Sequence, residues 1–474
     1  MPKALRHRAT AAGLAALALF GFLTLFETPS LAKPPREHCL GAGALDFEPT
    51  RVAQFVETYR KSTFQFASAK RDLKLDQRIA AASLGLGDKV AALESLSPRA
   101  EDSLLGAATG RRVERRMERL MLSVAPADLA LFKLALDYDG DYKDMEEYVF
   151  HDIDDEERRD RLLEHFRTAP PAGIKVLTDV DDTLYANLVD KRYPKKARYP
   201  GVVEFYAALA VEPFESSRTP ITTLSARPNP IGGKLEEGSL EKLADFTEGR
   251  LCPSGLSGSL LSSAIGTLET LGRANLDFLS DVVPDGKERE IGEVKYANFL
   301  RYSQVYPDYR FVFVGDSGQA DALTARRMLS GPEGAAGRVL TTFIHDLRAS
   351  ESDARSASAS FRELPLSALV SSASADGRGV IVFRNYIAAA LLTHHHASTL
   401  GGLMTDGELL GITRAALEEF SRIDFAEQAA RARLLSQYRQ DAEEVLRILS
   451  ESGEAAVERQ SDLDAIQRIL DDDL

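Results

Sequence analysis

The residues best placed to do chemistry are acidic. In KVLTDVDDTLY (175–185), an apolar run from Ile174 to Leu177 ends in Asp179, Asp181 and Asp182. Crowding like charges raises the pKa of each carboxylate, so such a cluster at the end of a buried strand calls for a use. Asp179, Asp181 and Thr183 form the pattern D-x-D-x-T. Average composition supplies that pattern in roughly one chain in ten of this length, so the strand in front of it carries the weight. A control lies upstream: HDIDDEERRD (151–160) also crowds aspartates, but no apolar strand precedes it. It reads as an exposed helix start, where acids favour the amino end. Three further pieces fall where phosphoryl transfer needs them. Ser225 closes the run Pro220–Leu224, Lys295 lies twelve residues before Pro307, and FVFVGDSGQAD (311–321) carries Asp316 and Asp321.

These residues must be positioned by strands. From Pro170-Pro171 onward, short β-rich runs (Ile174–Thr178, Pro220–Leu224, Tyr309–Val314, Val339–Ile344) alternate with helical ones (Val202–Leu209, Glu293–Val305, Ala320–Leu329). GVIVF (379–383) adds a further candidate strand. Alternation of this kind predicts an α/β fold, a Rossmann-like, mostly parallel sheet flanked by helices. Sites in such sheets form beyond the carboxyl ends of the strands.

The order and spacing of these motifs resemble the haloacid dehalogenase (HAD) superfamily of aspartate-nucleophile phosphatases. More narrowly, DVDDT, GDSGQAD and the Lys295-to-Pro307 spacing resemble the catalytic domain of actin-patch-associated phosphatidate phosphatases, over about residues 172 to 350. The resemblance implies a HAD-like fold and roles for each motif residue. Asp179 would be the nucleophile and form an aspartyl-phosphate. Asp181 would protonate the leaving alcohol and later deprotonate water. Thr183 would order the loop through its hydroxyl, Ser225 would hydrogen-bond a phosphoryl oxygen, and Lys295 would neutralise transferring charge. Mg²⁺ would be held by the carboxylates of Asp179 and Asp316 and the backbone carbonyl of Asp181, with Asp321 acting through water. Asp182 occupies a slot the pattern leaves open and reads as a solvated carboxylate or local cap. DKRYPKKARYP (190–200), with five basic residues, falls where the superfamily has a flap; it reads equally as a lure for an anionic substrate or lipid headgroup and as a solvated loop.

The rest of the 474-residue chain frames this unit. A formal net charge of −14 argues against a nucleic-acid partner. Lys3, Arg6 and Arg8 precede an apolar run, and small residues precede a cut after Ala32, so residues 1–32 read as a signal peptide or, uncut, a membrane anchor. The protein is accordingly expected to be exported, which permits a disulfide between its two cysteines, Cys39 and Cys252, without requiring one. Residues 33–46 read as a linker and 47–168 as a helical region. Within the latter, RRVERRMERLMLSV (111–124) suits a helix with a solvated, charge-paired face. The phosphatase-like unit spans 172–350, a Ser/Ala/Gly-rich loop 351–378, and a mainly helical extension 379–474. GSLLSSAIGTLE (258–269) fits a substrate cap, and His394-His395-His396 a helix surface or end, since adjacent helical side chains diverge. The expected function is a magnesium-dependent phosphomonoesterase acting on phosphatidate at a membrane surface. The alternatives are the same chemistry on a soluble phosphate ester, or a binding protein of the same fold without turnover.

Overall fold

The computed structural model describes residues 39–40, 45, 84–96, 111–138, 144–213, 218–228, 242–258, 287–318, 320–331, 333–347, 379–396, 400, 402–451 and 456–471. The chain divides into two compact units, one of residues 1–35 and 46–95 and one of residues 36–45 and 96–474. Within the first, the described residues lie in and just before helix α1 (Leu86–Leu96). Everything that follows concerns the second.

Its centre is a six-stranded sheet of β1 (Gly173–Thr178), β2 (Thr219–Pro228), β3 (Leu251–Gly258), β4 (Tyr309–Asp316), β5 (Val339–His345) and β6 (Val380–Phe383). The order is β3-β2-β1-β4-β5-β6, and every neighbouring pair is parallel. The order reverses between β1 and β4, where crossover connections leave in opposite directions and open a crevice at the carboxyl edge. Five strands fall where the alternation predicts them. The exception is β3, whose sequence LCPSGLSG contains a proline and two glycines and is not among the predicted runs. It survives as an edge strand, where a missing ladder donor is tolerated.

Side chains alternate across β1 and sort the two faces. Ile174 and Val176 join Val312, Val314, Phe343, Ile381 and Phe383 in one core, against α6 (Val202–Leu209), α10 (Tyr386–His395) and α11 (Asp406–Ser421). Helices α12 (Gln428–Glu451) and α13 (Ala456–Asp471) complete that layer through Tyr438, Ala442, Val445 and Ile466. The carboxyl-terminal segment therefore supplies both an edge strand and four of the five helices of the covering layer. The opposite face packs on α7 (Lys287–Val305), with Phe299 edge-on to Phe311 at 5.5 Å. Helices α8 (Asp321–Ser330) and α9 (Glu333–Ala336) carry the chain from β4 to β5.

The amino-terminal helices α2 (Arg111–Leu122), α3 (Leu129–Asp137), α4 (Met145–Phe150) and α5 (Glu156–Phe166) belong to the same unit. Helix α2 keeps part of the expected solvated face, with Arg111, Arg115 and Arg119 exposed, but Glu114, Arg116 and Glu118 are buried, and Glu118 accepts hydrogen bonds from Arg158 and Arg161 of α5. Glu118 thus pairs with another helix rather than with water. The acidic stretch before α5 is a helix start as expected, with the Asp155 carboxylate accepting from the backbone of Arg158, but Asp152 is buried rather than exposed. The triple histidine ends α10, and His394 Nε2 lies 2.5 Å from the Asp406 carboxylate. Cys39 and Cys252 form a disulfide with a Cα–Cα distance of 5.9 Å. Among the described residues no helix is long and apolar enough to cross a membrane. The expected signal segment, the cap stretch 259–269 and the loop 351–378 lie outside the described residues.

Candidate active site

The site forms where β1 and β4, adjacent at the reversal of strand order, end side by side. Residues Gly173 to Thr178 pair in register with Tyr309 to Val314, so the residues just beyond meet: Asp179 after β1 and Asp316 at the end of β4. The backbone N–H of Asp179 donates to the Val314 carbonyl and continues the ladder one residue beyond β1. Thr178 Oγ1 donates to the Asp179 carbonyl at 2.5 Å and lies 2.7 Å from the hydroxyl of Tyr206 on α6, which fixes the turn from below.

Asp321, the first residue of α8, folds back over Gly315. A Cβ on Gly315 would stand 2.6 Å from the Asp321 carboxylate, so only glycine permits this approach. Carboxylate oxygens of Asp179, Asp316 and Asp321 lie within 4.8 Å of one another. Lys295, from the middle of α7, closes the group. Its Nζ donates to Asp179 Oδ1 at 2.7 Å and to Asp321 Oδ1 at 2.5 Å. Asp321 Oδ2 accepts from the backbone N–H of Asp316 at 3.2 Å. Asp316 Oδ1 accepts from the backbone N–H of Gly318 at 2.6 Å. The Asp179 side chain keeps 13% exposure and Asp321 none, which leaves Asp179 as the carboxylate that faces the crevice mouth.

The carboxylates of this cluster are buried and crowded. Burial pushes the Asp179 carboxyl up to about 7, with Asp321 and Asp181 adding to the rise and Lys295 opposing it. Burial, then Asp321 and Asp179, holds Asp316 well above the carboxylate range. Three carboxylates face one ammonium, and Asp179 Oδ2 and Asp316 Oδ2 are buried with no hydrogen-bond partner among the described residues. Unpaired buried acceptors are rare because each forfeits its hydration. An all-oxygen donor set with an excess of negative charge suits a hard divalent cation. The cluster can hold one.

The other expected residues divide. Asp181 is buried, and its carboxylate accepts from Asn187 Nδ2 at 2.7 Å. Thr183 does not order the loop through its hydroxyl. Oγ1 is buried without a partner among the described residues, and the contact made is through the carbonyl, which accepts from Tyr386 on α10 at 2.7 Å. Ser225 does not end its strand, because β2 continues to Pro228; its side chain lies outside the described residues. Of the two readings of Asp182, the local cap holds and the solvated carboxylate does not. Asp182 is fully buried, adopts φ +59°, and accepts from the backbone N–H groups of Asn187, Leu188, Val189 and Asp190.

Within the basic stretch, Arg192 pairs with Asp190 through two nitrogens and lies 3.4 Å from His345 Nε2, while Lys191, Lys195 and Lys196 are exposed. The residues that sequence reasoning passed over are Asn187 and His345. Neither sits in a motif, and only the aspartate in a turn-prone DDT run hinted that Asp182 would organise a loop. No family model matches the chain, and no curated protein and no solved structure does either.

Proposed function

We propose that this protein is a magnesium-dependent phosphomonoester hydrolase of the HAD type, working through an aspartyl-phosphate on Asp179. The observation that carries the reading is the meeting of Asp179, Asp316 and Asp321 with Lys295 at the strand-order reversal. The motif resemblance supports the same assignment and names phosphatidate as the substrate. The Cys39–Cys252 disulfide supports the reading of an exported protein.

On this reading, Asp179, Asp316 and Asp321 hold the cation, which when bound offsets carboxylate and phosphate charge as a Lewis acid. An Asp179 oxygen attacks phosphorus, the ester P–O bond breaks, and the departing oxygen keeps the electron pair and takes a proton from Asp181. Water then adds to phosphorus and gives its proton to Asp181, and the bond from phosphorus to Asp179 breaks to release inorganic phosphate. Lys295 favours the ionised form of Asp179 against the effect of burial and places one positive charge beside the transferring group.

Phosphate release from phosphatidate in vesicles and from a soluble monoester, each with magnesium and with chelator, tests the reading. Chelation should abolish turnover, and the ratio of the two substrates decides between lipid and soluble ester. Asp179→Asn should lower kcat by about three orders of magnitude or more. Intact turnover in that variant would end the aspartyl-phosphate mechanism. A wild-type protein that binds phosphate ligands but releases none would make it a binding protein.

A further inference from the structure

The geometry points to Asn187 as a positioning residue for the acid–base carboxylate of Asp181, held in place by Asp182. The inference rests on the phosphomonoesterase reading above and adds to it a device outside the D-x-D-x-T motif. Asn187 lies six residues after Asp181, on the loop leading into the basic stretch, and donates from Nδ2 to Asp181 Oδ1 at 2.7 Å. An amide N–H donated to Oδ1 fixes the orientation of the Asp181 carboxyl group. A carboxyl group that both gives and takes a proton in one cycle needs a fixed orientation, since proton transfer depends on which oxygen faces the reacting atom.

Asn187 in turn is held by its own backbone. Its N–H donates to Asp182 Oδ1 at 2.8 Å. The next two N–H groups, of Leu188 and Val189, donate to Asp182 Oδ2 at 3.0 and 2.6 Å, and that of Asp190 to Oδ1 at 3.3 Å. Four successive amides around one buried carboxylate make a rigid anion nest. The nest is anchored from behind: the Asp182 N–H donates to the Tyr185 carbonyl at 2.8 Å, and the Asp182 carbonyl accepts from His345 Nδ1 at 3.1 Å. Asp182 pays for this with a left-handed backbone, which an aspartate tolerates better than most residues. Neighbouring carboxylates thus divide the work. Asp182 shapes the loop, the loop presents Asn187, and Asn187 sets Asp181.

The test exploits leaving-group chemistry. An alkyl phosphate such as glycerol 3-phosphate needs its leaving oxygen protonated, whereas p-nitrophenolate departs unaided. Asn187→Ala should lower kcat/KM, which reports the steps through leaving-group departure and not the later hydrolysis shared by both esters, about ten- to a hundredfold for the alkyl ester, less than the full acid–base contribution. It should alter kcat/KM for p-nitrophenyl phosphate by no more than about threefold. Asn187→Asp, which sets a carboxylate against Asp181, should show the same pattern more strongly at the same melting temperature. Equal losses on both substrates, or none on either, would overturn the assignment of Asn187. Asp181→Asn serves as the reference. If it too fails to discriminate between the two esters, the acid–base reading of Asp181 falls, and this inference with it.

Discussion

Asp182 and His345 show how single residues outside the motif stabilise it. The His345 ring is buried at the end of β5, stacked on Phe383 at 5.2 Å, with Nδ1 bonded to the Asp182 carbonyl. A carbonyl only accepts, so Nδ1 carries the hydrogen and Nε2 is the bare nitrogen facing Arg192. Burial, and then the Arg192 charge, push the imidazole from 6.5 down to about 4. The folded value lies below the unfolded one, so the group's contribution to stability is complete above about pH 6.5 and is lost as pH falls through about 4. In denaturant unfolding between pH 7 and 4 this group should add a loss of at most about 1.4 kcal/mol per pH unit as pH falls, against the opposite slope of the raised Asp179 and Asp316 carboxyls. His345→Phe keeps a ring in place and should remove that share of the slope. An unchanged slope in the variant would mean that the imidazole titrates normally.

At the scale of elements, the decisive contact is between the end of β4 and the start of α8. Gly315 lets the Asp321 side chain lie directly on the strand, where it accepts from the Asp316 N–H and from Lys295. A methyl group at residue 315 would push Asp321 off the Asp316 backbone and out of the trio. Gly315→Ala should therefore lower stability by about 1–3 kcal/mol, the usual range for forcing a methyl into a packed site. It should also lower affinity for magnesium, read by titration calorimetry against the unmodified protein. Full magnesium affinity in that variant would show that Asp321 is dispensable to the cluster. Strand register explains why distant segments meet here at all. Parallel pairing of β1 with β4 brings two carboxyl ends to one edge, and α7 then needs only to pass beneath with Lys295 at its middle.

Across the whole unit, the amino-terminal helices are tied to the sheet by buried charge. Lys133 on α3 reaches both the Val305 carbonyl, at 3.1 Å, and the Asp308 carboxylate, between α7 and β4, with both charged side chains fully buried. Burial pushes the Lys133 ammonium down to about 8 despite that partner. Beside it, Lys175 of β1 lies 3.8 Å from Asp137 of α3 and 4.2 Å from the centre of the Tyr306 ring. Helix α3 thus covers cations that the sheet could not leave in an apolar interior alone. Asp308→Ala should destabilise the protein by about 3–5 kcal/mol in thermal or denaturant unfolding, because it strands Lys133. The double variant Lys133→Met/Asp308→Leu should recover most of that loss. A single variant as stable as the unmodified protein would show that this pair does not hold α3 to the sheet.

The sequence by itself determined the alternation of strands and helices, five of the six strands, and the placement of Asp179 and Asp316 at strand ends. Those features are local: apolar runs of strand length, helical periodicity and acidic loops with glycine can be read within a dozen residues. It left β3 hidden, because a proline and two glycines speak against a strand until an edge position makes them tolerable. Only the tertiary structure decided that Asp182 is a buried loop anchor, that Thr183 Oγ1 has no partner among the described residues, that Asn187 meets Asp181, and that Glu118 of α2 pairs with α5. Each of these depends on where a polar group finds its partner once water is gone. That partner is chosen by the packing of segments far apart in the chain, and no local pattern encodes it.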